Sequence, residues 1–181
     1  MQWMIASDLH GSAYYARALA EAFAREGADR LVLLGDLLYH GPRNDLPREY
    51  APKEVIPLLN GLGDRLLCVR GNCDSEVDQM MLRFPILADY ALLEVNGLTL
   101  FATHGHRFGP DSLPELAGPY VLLSGHTHVP MCEARGEALC LNPGSVSIPK
   151  GGSVGSYVVL EGRTFFWKDL EGVVYQSHTV E

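Results

Sequence analysis

Leu31-Val32-Leu33-Leu34-Gly35-Asp36 decides the reading of this 181-residue chain: four apolar residues, then a glycine and a carboxylate. A short apolar run stopped by glycine reads as a strand buried in an α/β sheet. Ligand sites in such sheets lie just beyond the strand ends, so Asp36 is expected in a crevice. A carboxylate has two oxygens, and one Asp can therefore bridge two metal ions.

Upstream, Gln2 to Ala6 is a first apolar strand ending in Ser7-Asp8-Leu9-His10-Gly11, and Ala13 to Arg25 carries Tyr14, Ala18, Leu19, Ala22 and Phe23 at helical spacing before Gly27. Together with the strand at 31–34 they form a βαβ opening. Downstream, Pro52 to Asn60 reads as a helix that Pro57 shortens or kinks. Arg65 to Val69 is a third strand, closed by Arg70-Gly71-Asn72-Cys73-Asp74, and Asp74 is expected to cap a short helix through Met81.

From there the pattern changes to hairpins. Ala91 to Val95 and Leu98 to Thr103 flank Asn96-Gly97, a strong two-residue hairpin signal, and the second arm runs into His104-Gly105-His106. Tyr120 to Leu123 is another apolar strand, followed by Ser124-Gly125-His126-Thr127-His128. Short strands follow at Met131 to Ala134, Ala138 to Leu141, Ser156 to Glu161, Thr164 to Lys168 and Val173 to Ser177. The expected fold class is α/β, a two-sheet sandwich with helices on its outer faces, in one domain spanning 1–181.

Composition narrows the function classes. Fourteen basic against 22 acidic residues, a formal charge of −8, argues against a broad surface for long nucleic acid. No apolar run approaches the ~18 residues of a membrane span, and no leader pattern precedes Ser7-Asp8, so the expected location is the cytoplasm. Cys68, Cys73, Cys132 and Cys140 form no Cys-x-x-Cys pair and are expected to be reduced.

Five strand-end segments carry the chemistry: Asp8 with His10, Asp36, Asn72 with Asp74, His104 with His106, and His126 with His128. Residues two apart on an extended strand point the same way, so Asp8 and His10 are expected to grip one ion together. An isolated Asp-x-His is commonly a turn cap. Five of the seven histidines in three strand-end segments are not explained by capping, which does not call for paired imidazoles. Mixed imidazole and carboxylate donors suit manganese, iron, zinc or nickel better than magnesium.

These ordered motifs resemble the calcineurin-like metallophosphoesterases, with Asp8-Leu9-His10, Gly35-Asp36, Gly71-Asn72-Cys73-Asp74, His104-Gly105-His106 and Gly125-His126-Thr127-His128 in the family's order. The stretches His40-Gly41-Pro42-Arg43-Asn44, Arg70 to Asp78 and Asn142 to Gly152 further resemble its YfcE-type bacterial phosphodiesterase subgroup. The resemblance implies one metal held by Asp8, His10, Asp36 and His128, and a second held by Asp36, Asn72, His104 and His126. It favours manganese, and it implies a metal-bridging hydroxide that attacks a small phosphodiester in line and expels an alcohol. Asn72, Cys73, Asp74 and His106 join Asp36 as candidate catalytic residues.

Where the family usually has a histidine after the motif asparagine, this chain has Cys73. A thiol is a weak donor, so aryl-activated esters are expected to react best, with His106 the substitute donor or a prop. His40, Arg43, Asn44 and Cys73 are the candidate substrate-binding residues, Arg43 through its fixed fork of donors. Asp74 is expected to orient a ligand or cap a helix, and Asn142 to Ser145 to border the site or form a plain turn. The alternatives are a nucleotidase or nuclease of the same family, or a protein-binding scaffold with this fold. A scaffold would have lost ligands, and all seven ligand positions carry competent residues. The hairpins after Ala91 offer contacts for a homo-oligomer.

Overall fold

The computed structural model describes residues 1–181. Its strands are β1 (Gln2–Ala6), β2 (Arg30–Leu33), β3 (Leu66–Cys68), β4 (Tyr90–Val95), β5 (Leu98–Thr103), β6 (Tyr120–Leu123), β7 (Met131–Arg135), β8 (Ala138–Asn142), β9 (Ser156–Glu161), β10 (Thr164–Asp169) and β11 (Val174–Thr179). They form two sheets, β11-β10-β9-β1-β2-β3 and β4-β5-β6-β8-β7. The first has a parallel heart of β1, β2 and β3, and the second a parallel heart of β5, β6 and β8.

Side-chain alternation explains the layering. Ile5, Val32, Val158 and Leu160 of the first sheet face Leu100, Ala102, Val121, Leu123 and Leu141 of the second, and Phe165 and Trp167 complete this inner layer. The residues between them in sequence, Met4, Ala6, Leu31, Leu33, Tyr157 and Val159, pack outward. There they meet Leu19 and Phe23 of helix α1 (Ala13–Glu26) and Val55 and Leu59 of helix α2 (Pro52–Leu62). A strand buried on both faces thus reads as a continuous apolar run. Ser12 caps α1 by accepting from Tyr15 N, and Gly27 ends it in the left-handed conformation at φ 64°.

A short helix, α3 (Glu76–Met81), lies beside α2, where Asn60 bonds both Met81 O and Arg83 N. Its cap differs from the expected one. Ser75 is the N-cap, in a reciprocal capping box with Asp78, because the Asp74 carboxylate is already engaged elsewhere. Helices α1 and α2 cover the six-stranded sheet, and α3 buries none of its residues. On the outer face of the five-stranded sheet, Phe108, Leu113 and Leu116 from the irregular segment 104–119 pack over Phe101, Tyr120, Leu122, Ala138 and Cys140.

The Asn96-Gly97 hairpin forms with both residues at positive φ, 53° and 75°, as a tight turn between twisted strands requires. Cys132 pairs with Leu141 and Cys140 with Glu133, so the two cysteines point to opposite faces, and all four cysteines are free thiols. No helix is long and apolar enough to cross a membrane.

Candidate metal centre

The five motif segments follow β1, β2, β3, β5 and β6, the parallel strands of both sheets, and converge at their carboxyl ends. The loop after β1 is stitched to the loop after β2 by three bonds: Asp8 N to Gly35 O, His10 N to Asp36 O and Gly11 N to Leu37 O. Within the second sheet, the loops after β5 and β6 are joined by Gly125 N donating to His104 O at 2.8 Å. The glycines make room for this crowding. A Cβ on Gly71 would lie 2.1 Å from Asp36 Oδ1, and one on Gly125 would lie 2.0 Å from Ser7 Oγ.

The expected extended geometry of Asp8 and His10 is not what is found. Asp8, His10, Asp36, His126 and His128 all adopt positive φ, between 48° and 66°, and make up five of the seven such non-glycine residues in the chain. Sharp left-handed turns, and not strand alternation, aim these side chains. Such backbone costs on the order of 1–3 kcal/mol per residue and concentrates at functional sites.

The side chains come together closely. His10 Nε2 lies 3.5 Å from Asp8 Oδ1, 3.7 Å from Asp36 Oδ2 and 3.2 Å from His128 Nε2, while His128 Nε2 is 3.3 Å from Asp8 Oδ1. His104 Nε2 lies 3.5 Å from Asp36 Oδ2, 3.0 Å from Asn72 Oδ1 and 3.2 Å from His126 Nδ1. The other ring nitrogens fix the tautomers. Nδ1 of His10, His104 and His128 faces the carbonyls of Tyr39, Leu34 and Ile148 at 2.9, 2.6 and 2.7 Å. A carbonyl only accepts, so each Nδ1 carries the hydrogen and each neutral ring turns its Nε2 lone pair inward.

Lone pairs and carboxylates therefore face one another in a buried space. Asp8 Oδ1 has no hydrogen-bond partner at all. An array of buried acceptors without donors is costly unless a cation sits among them, and His, Asp and Asn at these separations are competent divalent-metal ligands. Asp8, His10 and His128 form one such group, and Asp8, Asp36 and His104 another.

The electrostatics agree. Burial raises the Asp8 carboxyl, but the close His10 and His128 imidazoles, at 3.5 and 3.3 Å, outweigh it and hold Asp8 well below the carboxylate range. Asp36 is lowered despite burial, through His104. Burial pushes His104 down, yet Asp36 and the Asp8 charge lift it to about 9. His10 is likewise raised against its burial by Asp8. In metal-free protein, protons hold the place of a cation.

This gives a pH prediction. A folded His104 near 9, against an unfolded value of about 6.5, stabilises metal-free protein fully below pH 6.5, and that stability is lost as pH rises toward 9. A bound metal needs the neutral ring, so the loaded protein lacks this contribution. The rise in Tm on adding a divalent metal should be larger at pH 8 than at pH 6.5. Calorimetry showing the opposite trend would remove His104 from the ligand set.

Asp74 does not touch the cluster. Its Oδ2 accepts from Asp36 N and Gly71 N at 2.9 and 2.7 Å, and its Oδ1 accepts from Leu37 N at 2.9 Å, so it locks the backbone that presents Asp36. The segment after β8 braces the other side. Ser145 and Ser147 both donate to Asp8 O at 2.9 Å, and Asn142 Nδ2 donates to Gly125 O at 2.7 Å.

A cavity of about 320 Å³ opens over the cluster, lined by Asp36, Asn72, Cys73, His126 and His128 and by Arg43, Asn44, Thr127 and Lys150. Of the four expected substrate-binding residues, Arg43, Asn44 and Cys73 line this cavity. His40 does not. Its ring sits edge-on between Tyr39 and Tyr50, at 4.8 and 5.2 Å, because these aromatic neighbours hold it beneath the loop, and only its carbonyl serves the loop by accepting from Asn44. His106 is exposed, 5.4 Å from the His104 ring, and does not line the cavity. Sequence reasoning passed over Thr127 and Lys150. Lys150 belongs to the 142–152 stretch already singled out, and its ammonium reaches Asn44 Oδ1 at 3.3 Å.

Comparison with known proteins matches this geometry. The calcineurin-like phosphoesterase superfamily domain matches residues 1–164. The phosphodiesterase YfcE of Escherichia coli K12 is 53% identical over 161 residues, 89% of this chain and 88% of that one. A phosphodiesterase of Methanocaldococcus jannaschii is 26% identical over 147 residues, covering 77% of this chain and 81% of its own. The solved structure of the E. coli phosphoesterase YfcE superposes with a TM-score of 0.96 at 48% identity, covering 100% of both chains. Zinc-complexed Vps29 from Entamoeba histolytica shares the fold at a TM-score of 0.61 and 19% identity, over 99% of this chain and 98% of that one. The ordered motifs, the two-sheet frame and the extent of these matches lead to one assignment: this chain belongs to the calcineurin-like phosphoesterase superfamily.

Proposed function

We propose that the chain is a metal-dependent phosphodiesterase with a dinuclear centre, hydrolysing small phosphodiesters with aryl-activated leaving groups. One observation carries this reading. A single oxygen, Asp36 Oδ2, lies 3.7 Å from His10 Nε2 and 3.5 Å from His104 Nε2, so one carboxylate joins both donor clusters. Asp8, His10, Asp36 and His128 would hold one divalent ion, and Asp36, Asn72, His104 and His126 the other. Manganese suits the mixture of carboxylate, amide and imidazole donors, with iron, zinc and nickel as alternatives. The E. coli relative at 53% identity is named a phosphodiesterase.

Bound divalent cations supply Lewis acidity and activate water at neutral pH. The chain's own residues bind and orient the ester. Arg43 offers a fork of donors to non-bridging phosphate oxygens, and Lys150 adds a second positive charge beside the cavity. Asn44, which donates to His40 O and accepts from Lys150, ties the two cationic loops together.

Proton donation to the leaving oxygen is the weak point. Burial, with the Asp36 charge, pushes the Cys73 thiol up to about 12, too weak an acid to assist an alcohol's departure. Burial and the nearby His104 and His126 push His106 down, which disfavours its protonated, acid form. Leaving groups that depart without help are therefore favoured. The acidic chain and modest cavity favour small esters over long polymers.

Chelator-stripped protein supplied with manganese tests the reading. Bis-p-nitrophenyl phosphate should be cleaved faster than p-nitrophenyl phosphate, and a dialkyl phosphodiester at least about 100-fold more slowly, the lower range of general-acid assistance. A monoester preference would turn the assignment to a nucleotidase. No cleavage with any divalent metal would turn it to the scaffold.

A further inference from the structure

We infer that Cys73 is a conditional metal ligand, a sulfur donor that thiophilic divalent cations recruit into this centre and manganese leaves free. The inference rests on the reading of the cluster as a metal centre. It adds a donor that lies outside the seven-residue ligand set.

The geometry sets Cys73 at the right place. Its Sγ, a donor nitrogen of His10 and a carboxylate oxygen of Asp36 all lie within 4.8 Å of one another, a third group able to hold a metal beside the two already described. The thiol is not loose in solvent. Cys73 N donates to Asp36 Oδ1 at 2.8 Å, Asn72 Nδ2 donates to the sulfur at 3.3 Å, and a Cβ on Gly41 would meet that sulfur at 3.1 Å. The backbone is thereby fixed to the Asp36 carboxylate, and rotation about the Cα–Cβ bond is the motion left to the sulfur, which already stands within 4.8 Å of the His10 and Asp36 donors. With zinc–sulfur near 2.3 Å and zinc–nitrogen near 2.1 Å, donors on one tetrahedral ion stand about 3.5 Å apart. A half-buried side chain closes that gap by turning.

Ligand softness decides which metals use it. Zinc and cadmium take thiolate readily, whereas manganese prefers oxygen and imidazole. On binding, the Cys73 S–H proton passes to solvent as the sulfur–metal bond forms, with no redox change. The sulfur then occupies part of the cavity that Arg43, Asn44 and Lys150 line, on the face a phosphate would approach. Thiophilic ions should bind tightly yet block the substrate. Turnover supported by zinc should therefore fall below turnover supported by manganese.

Cadmium titration of the chelator-stripped full chain tests this directly, through the ultraviolet thiolate-to-cadmium charge-transfer band. Wild type should develop the band to one thiolate per chain, Cys132→Ser should keep it, and Cys73→Ser should lose it. In competition dialysis, the zinc-over-manganese preference should fall at least about tenfold in Cys73→Ser. A band that survives in Cys73→Ser, no band in wild type, or an unchanged zinc-over-manganese preference would each overturn the inference. The two readings fail separately. Diester cleavage with manganese but no cadmium–thiolate band leaves the proposed function standing, while the band without hydrolysis under any metal leaves only the sulfur ligand.

Discussion

Replacing Asp36 by asparagine should cut manganese-supported diester hydrolysis by about a thousandfold and leave at most one tightly bound ion. The size follows from losing several kcal/mol of metal-borne charge stabilisation. The protein should still fold. Asparagine tolerates the left-handed backbone found here at φ 56°, and its amide oxygen can still accept from Cys73 N. The charge lost is one that His104 holds low against burial and the Asp8 charge, so metal-free Tm at neutral pH should fall modestly without loss of the fold. Near-normal turnover with two ions bound would end the bridging assignment.

Asp74→Ala should act through position and not through contact with substrate. It strips the only side-chain acceptor from three N–H groups, those of Asp36, Leu37 and Gly71. Each buried orphan costs about 1–3 kcal/mol. Allowing for relaxation, a loss of about 3–5 kcal/mol is expected, roughly 10 °C in Tm for a chain of this size. Manganese affinity should fall by about 10–100-fold, as is usual when a residue that orients a ligand is removed. Asp74→Asn, which keeps one carbonyl oxygen, should recover part of both. Unchanged Tm and unchanged metal affinity in Asp74→Ala would show that the Asp36 turn holds itself.

How far the sequence revealed the molecule depended on the range of the forces involved. Leu31 to Leu34 and Tyr120 to Leu123 were readable as strands because burial on both faces leaves continuous apolar runs, and Asn96-Gly97 because its turn demands positive φ locally. Asp8, Asp36, His104 and His126 were readable as one cluster because each follows a parallel strand. The aiming of those side chains was not readable. It depends on left-handed turns held by partners far along the chain, such as Ser145 on Asp8 O. Asp74 stood in a position where a helix cap was the local expectation, and only the fold brings the distant N–H groups of Asp36 and Leu37 to it beside the local one of Gly71. His40 shares its loop with Arg43 and Asn44, but aromatic packing against Tyr39 and Tyr50 turns it away from the cavity. Lys150 was hidden for the converse reason, since it lies 106 residues from the Asn44 it meets.

A carboxylate bridge requires two ions in each chain. Manganese should be dialysed into chelator-stripped wild-type protein at pH 7.5, counted by elemental analysis and examined by electron paramagnetic resonance. Two ions per chain with the signature of magnetically coupled Mn²⁺, reduced to uncoupled signal in Asp36→Asn, is the predicted outcome. One ion per chain, or two that show no coupling, would contradict a centre bridged by Asp36.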